Sequence, residues 1–184
     1  AKRVESPSSI NTFKQCKRKY YFQYIKKLPT VSNIHQIRGT IAHATLEHFF
    51  DIDTSELTEE NYTLKLKEVA QRLFFHQWNA HKSELEGLGL HEDQRKFYFE
   101  ETMVMIMNWI NQFITEIKTH MQRKQCSVQN AFLELTPIRE QEYRSESRSV
   151  RGYIDAIKRL DNEVHIIDYK TNSSFEFKDE IRLQ

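Results

Sequence analysis

The chain has 184 residues, which suits one folded domain that carries a helical insertion. Its 27 lysines and arginines nearly balance its 26 acidic residues, so no global positive field points to nucleic acid or to a membrane. No apolar run is long enough to span a bilayer and the first residues hold no signal-peptide core, so we expect a cytoplasmic protein without a membrane partner. Two distant cysteines and four glycines exclude a disulfide framework, a complete cysteine metal site and a glycine-rich nucleotide loop.

The first 125 residues have helical patterns. A helix is predicted to begin at the serines after Pro7 and to end before Pro29, and its apolar face comprises Ile10, Phe13, Cys16, Tyr20 and Tyr24. Further helices are predicted from about Gly39 to Asp51, Leu57 to His81 and Glu92 to Met121. The apolar stripe of the last helix favours a core position, with a partner-binding groove as the alternative.

The pattern changes to strands after Cys126. Strands are predicted over Ala131 to Thr136, Val150 to Leu160 and Glu163 to Tyr169, with a hairpin turn at Asp161-Asn162 and an extended polar segment over Ile138 to Arg148. The sequence therefore predicts an α/β (α+β) protein in one domain. It has N-terminal helices over 1–54, a helical insertion over 55–125 and a sheet core over 126–184.

Two carboxylates lie close together in the predicted hairpin. Asp155 interrupts an apolar strand and Asp168 ends the next one, so an antiparallel pairing places them opposite each other. A hard divalent cation such as magnesium or manganese would remove the repulsion between them. Lys170 points to the same side as Asp168 and could stabilise charge on a phosphate. The alternative is a solvated strand edge.

Two other segments carry candidate functional residues. His43 and Glu47 lie one turn apart on the second helix, where a lone histidine is more often a packing residue than a ligand. The stretch from Lys14 to Lys27 has six basic residues, no acid and several aromatic rings, which would suit phosphate contacts and stacking on single-stranded bases. A solvated helix face is the alternative. The candidate DNA-binding residues are Lys14, Lys17, Arg18, Lys19 and Tyr20.

Taken in order, these segments resemble the successive motifs of the PD-(D/E)XK nuclease superfamily, and specifically its RecB-like branch. That branch includes CRISPR-associated RecB-type exonucleases and the nuclease domains of AddAB and RecBCD helicases. The matching segments are Ser6 to Tyr20, Gly39-Thr40-Ile41-Ala42-His43 with Glu47, Gly152-Tyr153-Ile154-Asp155, and Ile167-Asp168-Tyr169-Lys170-Thr171. The middle helices carry no motif of the family. Asp155 lacks the family's preceding proline and Asp168 replaces its more common glutamate, both ordinary variants in this branch.

The resemblance implies a restriction-endonuclease-like mixed sheet and a metal-dependent DNA exonuclease of DNA processing, recombination or repair. It implies that Mg²⁺ or Mn²⁺ is bound by His43, Asp155, Asp168 and the backbone carbonyl of Tyr169, with Lys170 as the catalytic lysine. Glu47 would either support the ligands of this metal or bind a second metal ion. The alternative is that Glu47 is only an exposed charge on the helix. The expected partners are single-stranded DNA or duplex ends, and a helicase or other processing subunit. The alternative is a nucleic-acid-binding or assembly module with a nuclease fold but no turnover.

The family also has a C-terminal glutamine motif, and some members bind a 4Fe–4S cluster. Gln184 corresponds to that glutamine without the rest of its motif, so we expect the chain to be truncated at this end. Cluster-bearing members use one cysteine in the first helix and three near the C-terminus. Cys16 matches the first of these, so a cluster is expected only if three further cysteines follow this chain, and otherwise Cys16 is a core residue or a relic.

Overall fold

The computed structural model of the protein describes residues 3–30, 32–160 and 163–169. In this part of the chain a set of helices precedes a three-stranded sheet, and a π-helical turn over Tyr21–Ile25 follows the second helix. The helices are α1 (Pro7–Gln15), α2 (Lys17–Tyr20), α3 (Ile34–Phe49), α4 (Tyr62–Ala80), α5 (Lys82–Gly87), α6 (Glu92–Lys124) and α7 (Val128–Leu135). The strands are β1 (Ile138–Ser145), β2 (Val150–Leu160) and β3 (Glu163–Ile167). Of the described helices, none is both long and apolar enough to cross a membrane.

The core lies between α3, α4, α6 and α7, and aromatic rings fill its centre. Phe49 at the end of α3 has no exposed surface, and its ring lies 5.4–6.0 Å from four other rings. Those rings belong to Phe50, Trp109, Phe113 and Phe132. The stripe of α6 that includes Ile106, Ile110 and Phe113 is buried in this core, which confirms the core interpretation of that stripe.

Removal of the central ring is expected to have a large effect on stability. Phe49→Ala should lower the free energy of unfolding by about 3–5 kcal/mol, because it removes a fully buried ring and leaves a cavity. Phe97→Ala is the matched control, since that ring is 59% exposed and its loss should change stability by less than about 0.5 kcal/mol. Urea denaturation of both variants measures the difference. Equal losses in the two variants would contradict the assigned core.

The sheet is antiparallel with β2 in the centre. Ile138 pairs with Ile157 across β1 and β2, and Ala156 pairs with Ile167 across β2 and β3. Ala156 is fully buried, and Lys158 forms an ion pair of 2.5 Å with Glu116 that ties β2 to α6. The predicted strands over 150–160 and 163–169 are confirmed, although β3 ends at Ile167 and the predicted turn at 161–162 lies outside the described residues. Each pair of described strands is antiparallel, and a separate parallel bridge joins Glu5 to Val150.

The strand predicted over Ala131 to Thr136 is wrong, because this segment lies in α7. The Ser127 side chain accepts a hydrogen bond from the Asn130 N–H and caps the helix N-terminus. The buried residues of α7 recur at helical spacing and face the core. They are Val128, Ala131, Phe132 and Leu135.

The predicted bounds of three helices are also wrong. Helix α4 begins at Tyr62 and not near Leu57. The first helix is not continuous, because Cys16 has an extended backbone that separates α1 from α2, and its Sγ caps α2 by accepting the Lys19 N–H at 3.4 Å. Cys16 is exposed, which excludes a core role for it. Helix α3 begins at Ile34 and not near Gly39, since Asn33 and Gln36 form a reciprocal capping box there.

Candidate metal centre

His43 reaches the candidate site from the middle of α3. The residues around it are buried against the core, which leaves His43 and Glu47 on a face that borders an open pocket of about 560 Å³. The pocket is lined by Gln36, Gly39, Thr40, His43, Ala44, Glu47, Glu140 and Asp155. A helix and two strands therefore contribute to one cavity, and three of its lining residues are acidic: Glu47, Glu140 and Asp155.

Asp155 and Glu140 reach the same pocket from neighbouring strands. The pairs Arg139–Ala156 and Gln141–Ile154 flank them, so Glu140 lies directly opposite Asp155 across β1 and β2. The backbone of Glu140 has a φ of +46°, a left-handed conformation that is strained for a residue with a side chain. Such strain is concentrated at functional sites, where the surrounding structure maintains it.

Three potential metal ligands converge in this pocket. One ligand atom from each of His43, Glu140 and Asp155 lies within 4.8 Å of the other two. The shortest contact that the structure gives between them is 3.6 Å, from His43 Nδ1 to Asp155 Oδ2. One imidazole and two carboxylates form a donor set that suits Mn²⁺ or Mg²⁺.

The main chain of Tyr169 holds two of these side chains in place. Its N–H donates to Asp155 Oδ2 at 2.7 Å, and its carbonyl lies 2.9 Å from His43 Nε2. A carbonyl oxygen can only accept a hydrogen bond, so Nε2 carries the hydrogen in this arrangement. In the neutral ring Nδ1 then directs its lone pair at the Asp155 carboxylate. These two acceptors lie 3.6 Å apart, and both would favour a divalent cation bound at this point.

The charge on Glu140 is unfavourable in this environment. Partial burial raises the pKa of Glu140 above its ordinary value, the nearby carboxylates Asp155 and Glu47 raise it further, and His43 partly opposes them. A bound divalent cation would reverse this effect, because it stabilises the ionised carboxylate. The residues present therefore fit a divalent metal ion.

The other predicted site residues are placed less closely. Asp168 directly follows β3 and is exposed, and it is not one of the three converging ligands, although the register makes it the strand neighbour of Asp155. Glu47 lines the pocket, and its backbone carbonyl accepts a hydrogen bond from Arg139. Lys170 and Gln184 lie outside the described residues. The roles assigned to these residues stay predictions.

The predicted DNA-binding residues belong to the separate region formed by α1 and α2. Three of the four basic residues, Lys17, Arg18 and Lys19, lie in α2, Lys14 lies in α1, and all four are exposed. Tyr20 has a structural contact, because its hydroxyl donates to Glu5 Oε1 at 2.6 Å. That hydrogen bond raises the pKa of Tyr20.

Sequence reasoning missed Glu140. It lies in the segment over 138–148, which we interpret from sequence only as extended and polar. Glu140 is one of several acidic residues in that segment. The signal that could have identified it is the serine-rich turn over 145–149, because a hairpin folded there places residue 140 opposite residue 155.

The Tyr169 side chain is expected to be dispensable for this site. Its ring packs 5.9 Å from the rings of His43 and Trp109, and its buried hydroxyl finds no hydrogen-bond partner among the described residues. Tyr169→Phe should leave metal binding unchanged, because the main-chain groups contact His43 and Asp155, and should raise stability by about 1 kcal/mol. Urea denaturation and a manganese titration test this, and weaker manganese binding would contradict it.

Comparison with known proteins assigns the chain to a family. Neither the comparison with curated proteins nor that with solved structures gives a match. A family model does match, over residues 5–184, and it describes the PD-(D/E)XK nuclease superfamily. The match covers nearly the whole chain, and the helices and antiparallel sheet are consistent with the fold of that family. The chain therefore belongs to the PD-(D/E)XK nuclease superfamily, whose members are metal-dependent nucleases.

Proposed function

We propose that this protein is a divalent-metal-dependent deoxyribonuclease that hydrolyses phosphodiester bonds in DNA. The observation that carries the proposal is the convergence of His43, Glu140 and Asp155 beside the main chain of Tyr169. We further propose an exonuclease of the RecB-like branch that acts in DNA processing, recombination or repair. That finer assignment is supported by the order of the four motif segments along the chain.

The residues of the chain would bind Mg²⁺ or Mn²⁺ through His43, Glu140 and Asp155, with Asp168 as a further candidate ligand. When bound, such an ion polarises the phosphodiester and lowers the pKa of a coordinated water. Asp155 fixes the chain after β3 by accepting a hydrogen bond from the Tyr169 N–H. His43 orients the backbone carbonyl of Tyr169. Lys170 follows that carbonyl in sequence and would stabilise negative charge on the phosphate.

The pocket suits a phosphodiester for electrostatic reasons. Its acidic residues would repel a phosphate in the absence of a cation, so binding of the DNA backbone at this point requires the metal. Activity should therefore require the ion and be lost when a chelator removes it.

Cleavage of labelled DNA tests the proposal. Single-stranded, duplex and circular DNA labelled at either end are incubated with manganese, magnesium or EDTA, using wild type and Lys170→Ala. We expect metal-dependent release of labelled mononucleotides or short products by the wild type, resistance of the circle, and loss of activity in Lys170→Ala. Cleavage in EDTA, or full activity of Lys170→Ala, would contradict the assigned chemistry. Binding without cleavage by a folded wild type would favour the assembly-module alternative.

A further inference from the structure

A second surface of the protein, formed by α1, α2 and the π-helical turn, has exposed aromatic rings. Phe13 on α1 and Tyr21 and Phe22 on the π-helical turn are each 40–45% exposed. The Tyr21 and Phe22 rings lie edge to face at 5.5 Å. Exposed aromatic rings that lie beside one another can form a binding surface.

Each exposed ring has a cation beside it. Lys17 Nζ lies 5.6 Å from the Phe13 ring and Lys26 Nζ lies 5.7 Å from the Tyr21 ring. The Arg18 guanidinium lies 5.9 Å from the Phe22 ring. We call these six residues the N-terminal patch: Phe13, Lys17, Arg18, Tyr21, Phe22 and Lys26.

The charge around the N-terminal patch is of one sign. Residues 6–46 contain no aspartate or glutamate but seven lysines and arginines, although the whole chain has a formal net charge of only +1. Residues 6–46 therefore have a net charge of +7 and the rest of the chain one of −6, although most of the lysines and arginines lie in that rest. An anionic ligand would be attracted to the segment over 6–46.

The patch is anchored to the strand that carries Asp155. Glu5 forms a parallel bridge with Val150, and its carboxylate accepts hydrogen bonds of 2.6 Å from both Ser9 and Tyr20. A methyl group on Gly152 would meet Pro7 Cγ at 3.6 Å, so α1 begins against β2. Asp155 lies three residues beyond Gly152, roughly 10 Å along the strand. The start of α1 therefore contacts the strand that carries Asp155.

We propose that the N-terminal patch binds single-stranded nucleic acid, with the rings stacking on unpaired bases and the cations contacting the adjacent phosphates. This inference rests on the proposed function, because it names the form of the substrate that reaches the same metal centre. Duplex DNA hides its base faces, so it can use only the cations of the patch. An anionic membrane would require a continuous apolar face, whereas α1 and α2 are interrupted at Cys16 and each ring is paired with a cation.

Binding without cleavage tests the patch separately from the enzyme. Fluorescence anisotropy in EDTA measures the affinity of the full chain for a labelled single strand about 20 nucleotides long and for a duplex of the same sequence. Phe22→Ala and Tyr21→Ala should each weaken single-strand binding by about tenfold and change duplex binding little. Phe97→Ala is the matched control, because that ring is similarly exposed on α6, and it should bind as the wild type does. Lys17→Gln should reduce the slope of the logarithm of the binding constant against the logarithm of the salt concentration by about 1, because it removes one phosphate contact.

A small phosphodiester separates failure of the patch from failure of the nuclease. Bis(4-nitrophenyl) phosphate is too small to reach both surfaces, so its manganese-dependent hydrolysis should be the same in Phe22→Ala and wild type. If the wild type hydrolyses the small phosphodiester but Phe22→Ala and Phe97→Ala bind the single strand equally well, the proposed role of the patch is wrong. The proposed nuclease activity would not be affected by that result. Binding lost in Phe22→Ala without any hydrolysis by the wild type would support the patch and contradict the nuclease. Binding of the protein to phosphatidylserine vesicles but not to the oligonucleotide would contradict the proposal that the patch binds single-stranded nucleic acid.

Discussion

Asp155→Asn is expected to abolish metal-dependent cleavage, by roughly 10³-fold or more, while the protein stays folded. The carboxylate of Asp155 is one of the three converging ligands and the one that both His43 and Tyr169 contact. Asparagine has the same shape and keeps an oxygen that can accept the Tyr169 N–H, so the chain after β3 should stay in place. What the variant loses is the negative charge that a divalent cation requires.

Asp53→Asn is a suitable control for this variant. Asp53 also accepts a backbone hydrogen bond through its side chain, from Ser55 N–H at 2.9 Å, but it is exposed and outside the pocket. Cleavage by Asp53→Asn should equal that of the wild type, and urea denaturation should give both variants near-native stability. Substantial cleavage by a folded Asp155→Asn would remove this carboxylate from the reaction.

The parts of the site that were predictable from sequence are those that local patterns determine. The alternation over 150–160 predicts β2, and an acid within an otherwise apolar strand identifies Asp155 as unusual. His43 is harder to identify from its local pattern, because one histidine on an amphipathic helix is more often a packing residue than a ligand. Only the contact between α3 and the sheet places its ring beside Asp155, and no local pattern encodes that contact.

The errors have physical causes of the same kind. Residues 131–136 alternate in a way that suits a strand, but the Ser127 cap and the packing of Phe132 against Phe49 and Phe113 select a helix. Glu140 escaped notice because its importance comes from its register opposite Asp155 and from its left-handed backbone. Both properties depend on how the hairpin closes, which tertiary structure decides.

Glu140→Gln is expected to make the metal-free protein more stable. Burial and the neighbouring carboxylates Asp155 and Glu47 raise the pKa of Glu140, so the folded protein disfavours the charged form of this side chain. The folded state therefore binds more protons than the unfolded state as the pH rises above the ordinary value of 4.5, and stability is lost over that range. Glutamine does not ionise, so the variant does not lose this stability. The gain in stability of Glu140→Gln over the wild type should therefore appear above pH 4.5 and then level off.

Thermal unfolding in EDTA at several pH values measures this difference, with Glu142→Gln as the control. Glu142 lies on the same strand and is paired with Arg151 at 3.8 Å, so its neutralisation should give no gain in stability. Equal or lower stability of Glu140→Gln in EDTA across the whole pH range would contradict the strained charge that we assign to Glu140.

Manganese should reverse the order of stability. A cation that binds only the folded protein stabilises it according to its affinity, and wild type offers that cation one carboxylate more than Glu140→Gln does. The wild type should thus be the less stable protein in EDTA and the more stable one at saturating manganese, and the variant should lose most of its cleavage activity. A residue that served only to support the fold would stabilise the protein in both conditions. The reversal would therefore identify Glu140 as a side chain that reduces the stability of the metal-free protein because it binds the metal.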